Sequence, residues 1–304
     1  MSLVGNRTNR ALIAVLLACL PACAEPEEQE PRVPHHVMKP LGPPPSAAVA
    51  RVPATRCGDT SEGFEDWLGA FREQAIGQGL SRTVVTRALA DVGYDPGVIE
   101  LDRTQRPQKI PFETFAAAHV TPARVRHGKR LLAKHAELLA KIESRFGVPP
   151  EIVVALWGLE TDFGAYLGTT RSLDALVTLA YDCRRAERFR DELASALRIL
   201  QRGDLSIDEM VGAWAGELGQ TQFLPSSYER FGVDFDEDGR IDLVESTPDA
   251  LASTASYLAG HGWRAHEGYG PGSPNLTALA SWNKSEVYRR TVVLFASKLR
   301  PASP

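Results

Sequence analysis

Pro149-Pro150-Glu151-Ile152-Val153-Val154-Ala155-Leu156-Trp157-Gly158-Leu159-Glu160-Thr161-Asp162-Phe163-Gly164 is the stretch from which the rest of the chain is best read. Proline is well suited to a helix start, where its missing N–H has no partner to lose. Residues 152–159 are then apolar on nearly every side, so the spacing predicts a helix buried all round at the centre of the molecule. Glu160 is the first acidic residue after that run and falls near the helix's C-terminal end. Burial disfavours an ionised carboxylate, and the negative end of the helix dipole disfavours it further. Both effects raise the pKa, as a general acid working near neutral pH requires. Gly158 and Gly164 are expected to leave room for a ligand, and Asp162 to serve as a local cap. The bland alternative is a helix-end glutamate that simply reaches solvent.

Helical signals continue on both sides. Phe64, Trp67, Leu68 and Phe71 keep the i, i+3, i+4, i+7 spacing of one buried face. Ser81 is placed to cap a second helix through Val84, Val85, Ala88, Leu89 and Val92, stopped by Gly93. Leu131 to Phe146 reads as one further helix, ended by Gly147, with His135 on its apolar face as a core histidine. Amphipathic segments follow at Phe189-Leu193-Leu197-Leu200, Leu251-Ala255-Leu258 and Val287 to Leu299. Strand-like alternation is scarce, so the fold class is mainly α.

A chain of 304 residues, 43% hydrophobic and 24% charged, suffices for one large domain or two small ones and is neither collagen-like nor wholly disordered. With 34 Lys+Arg against 38 Asp+Glu, it lacks the basic footprint of a nucleic-acid binder. Beyond the N-terminus no apolar run approaches the roughly 18–20 residues of a membrane-spanning helix.

Arg7 and Arg10 precede the apolar stretch Ala11 to Leu20 and then Pro21-Ala22-Cys23-Ala24, so residues 1–23 read as a secretory signal. Leu20-Pro21-Ala22-Cys23 resembles a bacterial lipobox, which points to lipidation at Cys23. Leu16-Leu17-Ala18-Cys19 is an overlapping candidate, and ordinary cleavage after Ala24 is the alternative. Ala24 in place of aspartate favours the outer membrane, so the expected location is the periplasm, with the chain anchored there as a lipoprotein. Residues 24–60 are proline-rich and form an expected tether, with a reach on the order of 100 Å. Of the four cysteines, Cys57 and Cys183 remain outside the signal, and export to an oxidising compartment favours a disulfide between them over two buried thiols.

Asp234-Phe235-Asp236-Glu237-Asp238-Gly239-Arg240-Ile241-Asp242-Leu243-Val244-Glu245 has the spacing of an EF-hand calcium loop. Asp234, Asp236, Asp238, Asp242 and Glu245 supply side-chain oxygens, Arg240 its backbone carbonyl, and Gly239 the sharp turn. One structural Ca2+ is expected, with no organic cofactor; a solvated acidic turn is the alternative. No His-Glu-x-x-His, Gly-x-Ser-x-Gly, phosphate loop or paired Cys-x-x-Cys occurs.

Val154 to Gly164 closely resembles the catalytic segment of lytic murein transglycosylases of the membrane-bound B type. Leu179-Ala180-Tyr181-Asp182-Cys183-Arg184-Arg185, Gly219-Gln220-Thr221-Gln222-Phe223-Leu224-Pro225-Ser226-Ser227-Tyr228 and the acidic loop are similar to that family in the same order. An echo follows at Trp282-Asn283-Lys284-Ser285. The resemblance implies a lysozyme-like (α+β) core at about 147–301 with an N-terminal helical subdomain at about 61–146, together a transglycosylase domain over 61–301. It implies cleavage of the β-1,4 bond between N-acetylmuramic acid and N-acetylglucosamine without water, leaving a 1,6-anhydro ring. Glu160 would be acid and then base, and Gln222 and Phe223 would contact the sugars. Tyr257 and Asn283 would line the cleft, and Arg184 and Arg185 would face the stem peptide's carboxylates. The implied partners are peptidoglycan glycan strands, outer-membrane lipid through the acyl anchor, and cell-wall synthesis or division proteins, with no nucleic acid.

Two departures stand out. Ala213 occupies the place of a serine that in many members supports the acid, and only about twenty Gly/Pro-rich residues join Trp263 to Asn283 where relatives carry a larger, partly β segment. Trp214, Trp263 and Trp282 are candidate sugar platforms, whereas Trp67 and Trp157 lie on apolar helix faces and read as core. Glu217 is a second carboxylate that admits a hydrolytic alternative, a muramidase acting on the same bond. A non-catalytic glycan-binding scaffold is the alternative outside enzymes.

Overall fold

The computed structural model describes residues 56–104 and 110–300. Its elements, in chain order, are α1 (Phe64–Gly77), α2 (Arg82–Ala88), α3 (Pro96–Thr104), α4 (Phe112–His119), α5 (Pro122–Lys134), α6 (Ala136–Phe146), α7 (Pro150–Thr161), β1 (Thr170–Arg171), α8 (Ser172–Tyr181), α9 (Ala186–Arg202), β2 (Val211–Gly212), α10 (Pro225–Phe231), α11 (Thr247–Gly260), α12 (Pro274–Trp282) and α13 (Glu286–Leu299). The two short strands pair antiparallel, Thr170 opposite Gly212 and Arg171 opposite Val211. The described fold is thus mainly helical.

α7 is the helix that the prolines and the apolar run announce. Pro149 is its N-cap, Pro150 opens it, and every residue from Ile152 to Thr161 is buried. Two expectations need correction. The stretch from Leu131 to Phe146 is not one helix, because His135 leaves helical geometry at φ −106° and ψ 22°, closing α5 and opening α6. The break lets α5 pack on α7 and α13 while α6 turns toward α11. His135 is consequently half-buried, edge-on to Trp157 at 6.1 Å. The second helix ends at Ala88 and not at Gly93, whose N–H goes to Asp174 Oδ1 at 3.2 Å. Ser81 sits at its N-cap without a side-chain capping bond.

Two hydrophobic cores result. One joins α1 and α2 to α8 and α9 around Leu68, Phe71, Leu176, Phe189 and Tyr228. The other gathers α4, α6, α11, α12 and α13 around α7, with Leu156, Leu251 and Phe295 at its centre. Tyr257 and Trp282, both partly buried, pack against the two cores at once and mark the seam between them.

Cys57 and Cys183 are joined by a disulfide of S–S length 2.10 Å across a sequence separation of 126. Beside it, Gly58 donates its N–H to the Tyr181 carbonyl at 3.1 Å, so the start of the described chain is pinned to the end of α8. A cross-link closing so long a loop removes much of the unfolded chain's freedom. Residues 1–55, with Cys23, the signal and most of the tether, lie outside the described residues.

Candidate active site

Three consecutive residues after α7 take left-handed backbone: Asp162 at φ 53°, Phe163 at 63° and Gly164 at 82°. Such a conformation costs a non-glycine residue about 1 kcal/mol, so contacts must hold it. Arg124 Nε bonds Asp162 Oδ1 at 2.9 Å. The Phe163 ring turns back over the helix, where a Cβ on Gly158 would lie 2.6 Å from it and 2.9 Å from Phe295. Gly158 therefore makes room for Phe163 and not, as expected, for a ligand. Gly164 packs against Gln220, whose Oε1 would meet a Cβ at 3.0 Å. Asp162 fills the C-cap position of α7 while its side chain is engaged by α5.

This turn fixes the last coil of α7, where Glu160 is 8% exposed. Its Oε1 accepts from Trp282 Nε1 at 2.8 Å and from the Tyr288 hydroxyl. Burial raises the Glu160 carboxyl from 4.5 to about 7; the two hydrogen bonds oppose that rise, and the charge of Glu217 adds to it. Burial and the neighbouring Glu160 push Tyr288 well above its ordinary value, so Tyr288 stays a donor. Because Oε1 is taken by two donors, Oε2 is the oxygen left to carry the proton of the neutral acid.

The cleft lies along the seam of the two cores. Its walls include Glu217, Gln222, Phe223, Tyr257, Trp282 and Asn283. Glu160 is not itself a wall residue; Trp282, which donates to it, and Glu217, whose charge it feels, both are. Gln222 is left-handed, with φ 56°, and its Nε2 donates to the carbonyls of Leu167 and Gly219, both at 3.0 Å. The Phe223 ring stands edge-on to Trp282 at 5.4 Å and to Tyr257 at 5.8 Å. Tyr257 donates to the Ser281 carbonyl at 2.7 Å, and Asn283 Oδ1 caps the Ser285 N–H at 2.8 Å. Of the tryptophans, Trp282 lines the cleft, and Trp67 and Trp157 are core at 4% exposure each.

Glu217 is buried, accepts from the Ala215 N–H at 3.1 Å, and has its carboxyl pushed up by burial. The Ala213 side chain carries no donor, and the two bonds to Glu160 come instead from Trp282 and Tyr288, at the end of α12 and in α13. Arg184 and Arg185 both turn to Asp102, a buried residue of α3; Arg184 Nη1 lies 2.5 Å from Asp102 Oδ2. Arg185 also reaches the cleft, together with Arg188 and Lys284, whereas Arg184 does not.

In the acidic loop the carboxylates that converge are Asp234, Asp236 and Asp249, with ligand oxygens within 4.8 Å of one another. Asp249 lies in α11, outside the loop's spacing. Of the other expected ligands, Asp238 accepts from the Arg240 N–H at 2.9 Å, and Asp242 Oδ1 accepts from the N–H groups of Val244 and Glu245, both at 2.9 Å. The Arg240 side chain donates to the Asp204 carbonyl at 3.0 Å. The converging set is all carboxylate oxygen, the donor type a hard divalent cation takes. Burial pushes Asp249 up, and the charge of Asp236 pushes it further, so the cluster's negative charge suits a cation.

Sequence reasoning missed Tyr288, Asp102 and Asp249 as partners of named residues. Only Asp249 carried a signal: it stands at the third helical position after the N-cap Ser246, where an acid is common, and its side chain reaches back to the loop.

Comparison with known proteins follows the same lines. Membrane-bound lytic murein transglycosylase B of Escherichia coli (strain K12) is 38% identical over 164 residues, which make up 51% of this chain and 45% of that protein. The chain thus spans less than half the length of that relative. SltB3 from Pseudomonas aeruginosa, solved in complex with NAG-anhNAM-pentapeptide, is 33% identical with a TM-score of 0.73, covering 78% of this chain and 80% of that one. The Escherichia coli lytic transglycosylase Slt35, solved in complex with calcium, is 25% identical with a TM-score of 0.69, covering 80% and 95%. Residues 63–273 match the model of the transglycosylase SLT domain, which is more than half of the chain, and the chain belongs to that family.

Proposed function

We propose that the chain is a peptidoglycan lytic transglycosylase with Glu160 as its acid and base. The observation that carries this reading is the pair of donors on Glu160 Oε1, which leaves a protonated Oε2 on a carboxyl that titrates near 7. Glu160 Oε2 gives its proton to the glycosidic oxygen as the bond from the muramoyl C1 to that oxygen breaks. The C6 hydroxyl oxygen of the same sugar then bonds to C1, and its proton passes to the Glu160 carboxylate. The acid is restored, no water is consumed, and the released chain ends in a 1,6-anhydro ring. One carboxyl suffices because the sugar supplies its own nucleophile, whereas hydrolysis usually needs a second. Gln222, Phe223 and Tyr257 would hold the sugars, Asn283 the cleft edge, and Arg185 the stem peptide.

Glu217 supports a second reading, because it is a buried carboxylate in the same cleft and could hold a water for hydrolysis. Mass spectrometry of the fragments released from purified peptidoglycan separates the two. Anhydromuramoyl ends, one water lighter than reducing ends, are expected; reducing ends would transfer the assignment to a muramidase, and no release by folded protein would remove both.

We propose further that residues 1–23 are a lipoprotein signal, with Cys23 acylated and the tether over 24–60 holding the 61–301 domain at the periplasmic face of the outer membrane. Among the described residues no helix is long and apolar enough to cross a membrane. One Ca2+ held by Asp234 and Asp236 with Asp249 would fix the loop between α10 and α11, and its role is structural. A rise in melting temperature on adding Ca2+, abolished in Asp234→Ala, tests that assignment.

A further inference from the structure

Outside the cleft, α5 carries a concentration of uncompensated positive charge. Its sequence, Pro122-Ala123-Arg124-Val125-Arg126-His127-Gly128-Lys129-Arg130-Leu131-Leu132-Ala133-Lys134, holds five Lys and Arg residues and no acid, in a chain whose net charge is −4. Arg124 is engaged with Asp162. Arg126, Lys129, Arg130 and Lys134 are all exposed, and among the described residues none of them pairs with a carboxylate.

The placement follows from the helix period. Gly128 is buried and Val125, Leu131 and Leu132 are half-buried against the core, so the opposite face carries Arg126, Arg130 and Lys134 at successive i, i+4 positions with Lys129 beside them. Like charges at that spacing destabilise a helix by a few tenths of a kcal/mol per pair. Nothing on α5 offsets this, since its other exposed residues are Pro122, Ala123 and Ala133. The stripe is also tied to the end of α7. Arg124 grips Asp162, and His127 stands edge-on to Phe163 at 4.9 Å, so α5 supports the turn two residues beyond Glu160. No α5 residue lines the cleft itself.

We infer that this face of α5 is an anion-docking surface for the carboxylates of peptidoglycan's stem peptides, engaging the polymer beyond the bond that is cleaved. The inference rests on the peptidoglycan reading above. Charge complementarity selects the occupant: on that reading the substrate carries carboxylates along its length, and the helix that bears the stripe is held through Arg124 to the turn after Glu160. A membrane of anionic lipid shares the sign of charge and is an outcome the test distinguishes.

The test uses the full chain with Glu160→Gln, so that binding is read without cleavage, and compares it with the same chain carrying Arg126→Gln, Lys129→Gln, Arg130→Gln and Lys134→Gln. Co-sedimentation with purified peptidoglycan sacculi is expected to weaken about tenfold in the fourfold variant, as the sum of several exposed ion pairs. Added salt should weaken the parent to the variant's level, because exposed charges are screened beyond about 8 Å at physiological ionic strength. Sacculi whose carboxyl groups have been amidated should bind the parent no better than the variant. Equal binding of parent and variant to untreated sacculi would overturn the inference. So would a loss confined to vesicles of phosphatidylglycerol, which would place a membrane on this face. Fragment release by the Glu160 chains, with and without the four glutamines, is followed separately on a short soluble tetrasaccharide-peptide that holds one bond from N-acetylmuramic acid to N-acetylglucosamine. Failure of both there removes the catalytic reading, while equal rates combined with weaker sacculus binding are the result expected here.

Discussion

At the end of α7 a buried carboxyl takes its two hydrogen bonds on one oxygen, both from side chains, Trp282 and Tyr288. In the loop between α10 and α11, Asp234 and Asp249 accept from backbone N–H groups on both oxygens: Asp234 from Asp238 and Gly239, Asp249 from Phe235, Asp236 and Asp242. Both regions bring acids under cover, and the difference lies in what each carboxyl has left to give. Acceptance on both oxygens commits a carboxylate to the shape of the backbone around it. Two donors on Oε1 fix the orientation of Glu160 and leave Oε2 uncommitted, which is the arrangement a proton donor needs. In these two regions the hydrogen-bond sets differ where burial alone does not, and the carboxyl proposed as the acid is the one with an oxygen left over.

The largest test of that contrast is Glu160→Gln against Asp234→Asn. Glu160→Gln removes the carboxyl proposed to give and retake the proton, so fragment release should fall about a thousandfold or more, as for loss of a general acid. Asp234→Asn should leave it within a few-fold at saturating Ca2+. Glu160→Gln also carries a stability signature. The folded carboxyl is raised from 4.5 to about 7, so the contribution of this one group to stability is fully present below 4.5 and is lost as pH climbs through 7. Glutamine does not titrate. The melting temperature of Glu160→Gln should therefore gain on the parent across that window, by an amount equivalent to on the order of 3 kcal/mol. A pH-independent difference would mean that Glu160 is not held neutral by burial.

Next in size are the two donors. Tyr288→Phe and Trp282→Phe each remove a bond to Oε1, and each should lower the rate about tenfold to a hundredfold. Both bonds favour the ionised form, so losing either raises the carboxyl's pKa and moves the alkaline limb of the rate profile upward. Because both act on one oxygen, the double variant should cost less than the two single losses multiplied together. Full multiplication would show that the donors do not share a role.

A third test bears on the loop. Asp249→Ala strips the N–H groups of Phe235, Asp236 and Asp242 of their acceptor and should destabilise the fold by about 2–4 kcal/mol, read by denaturant unfolding, with or without Ca2+. Asp238→Ala, whose carboxylate is exposed and serves only Arg240, should cost under about 1 kcal/mol. Equal losses would place the weight on the loop's own spacing and not on the reach of α11.

That result would also mark where sequence reading stops. α7 was legible because an apolar run with prolines at its start allows little else, whereas the run alone left Glu160 open between burial and solvent, and the family resemblance favoured the former. The partners of Glu160 were not legible. Tyr288 lies 128 residues further on, within the apolar face of α13, and only the packing of α13 on α7 turns its hydroxyl inward. Asp102 was hidden for the same reason: it claims Arg184 and Arg185 across more than eighty residues, so two arginines read as facing the substrate are engaged first by a buried acid. The helix break at His135 escaped notice because apolar periodicity runs straight through it, while the partners of the two halves differ. The seam between the cores, which positions the cleft, is a property of packing with no local spelling at all.

The smallest expected effect is the most discriminating. Glu217 shares the cleft and raises the pKa of Glu160 through its charge. Removing that charge in Glu217→Gln lets Glu160 lose its proton at lower pH, so the alkaline limb should move to the acid side by less than about one pH unit, with the maximal rate within a few-fold. The direction is opposite to that for Tyr288→Phe and Trp282→Phe, so one set of pH profiles distinguishes a charge acting at a distance from donors in contact. A collapse of the rate in Glu217→Gln, with reducing ends among the residual products, would make Glu217 a partner in hydrolysis and dissolve the contrast between one chemical carboxyl and several structural ones. An unmoved limb would mean that the charge of Glu217 is not felt at Glu160, leaving burial alone to hold the proton in place.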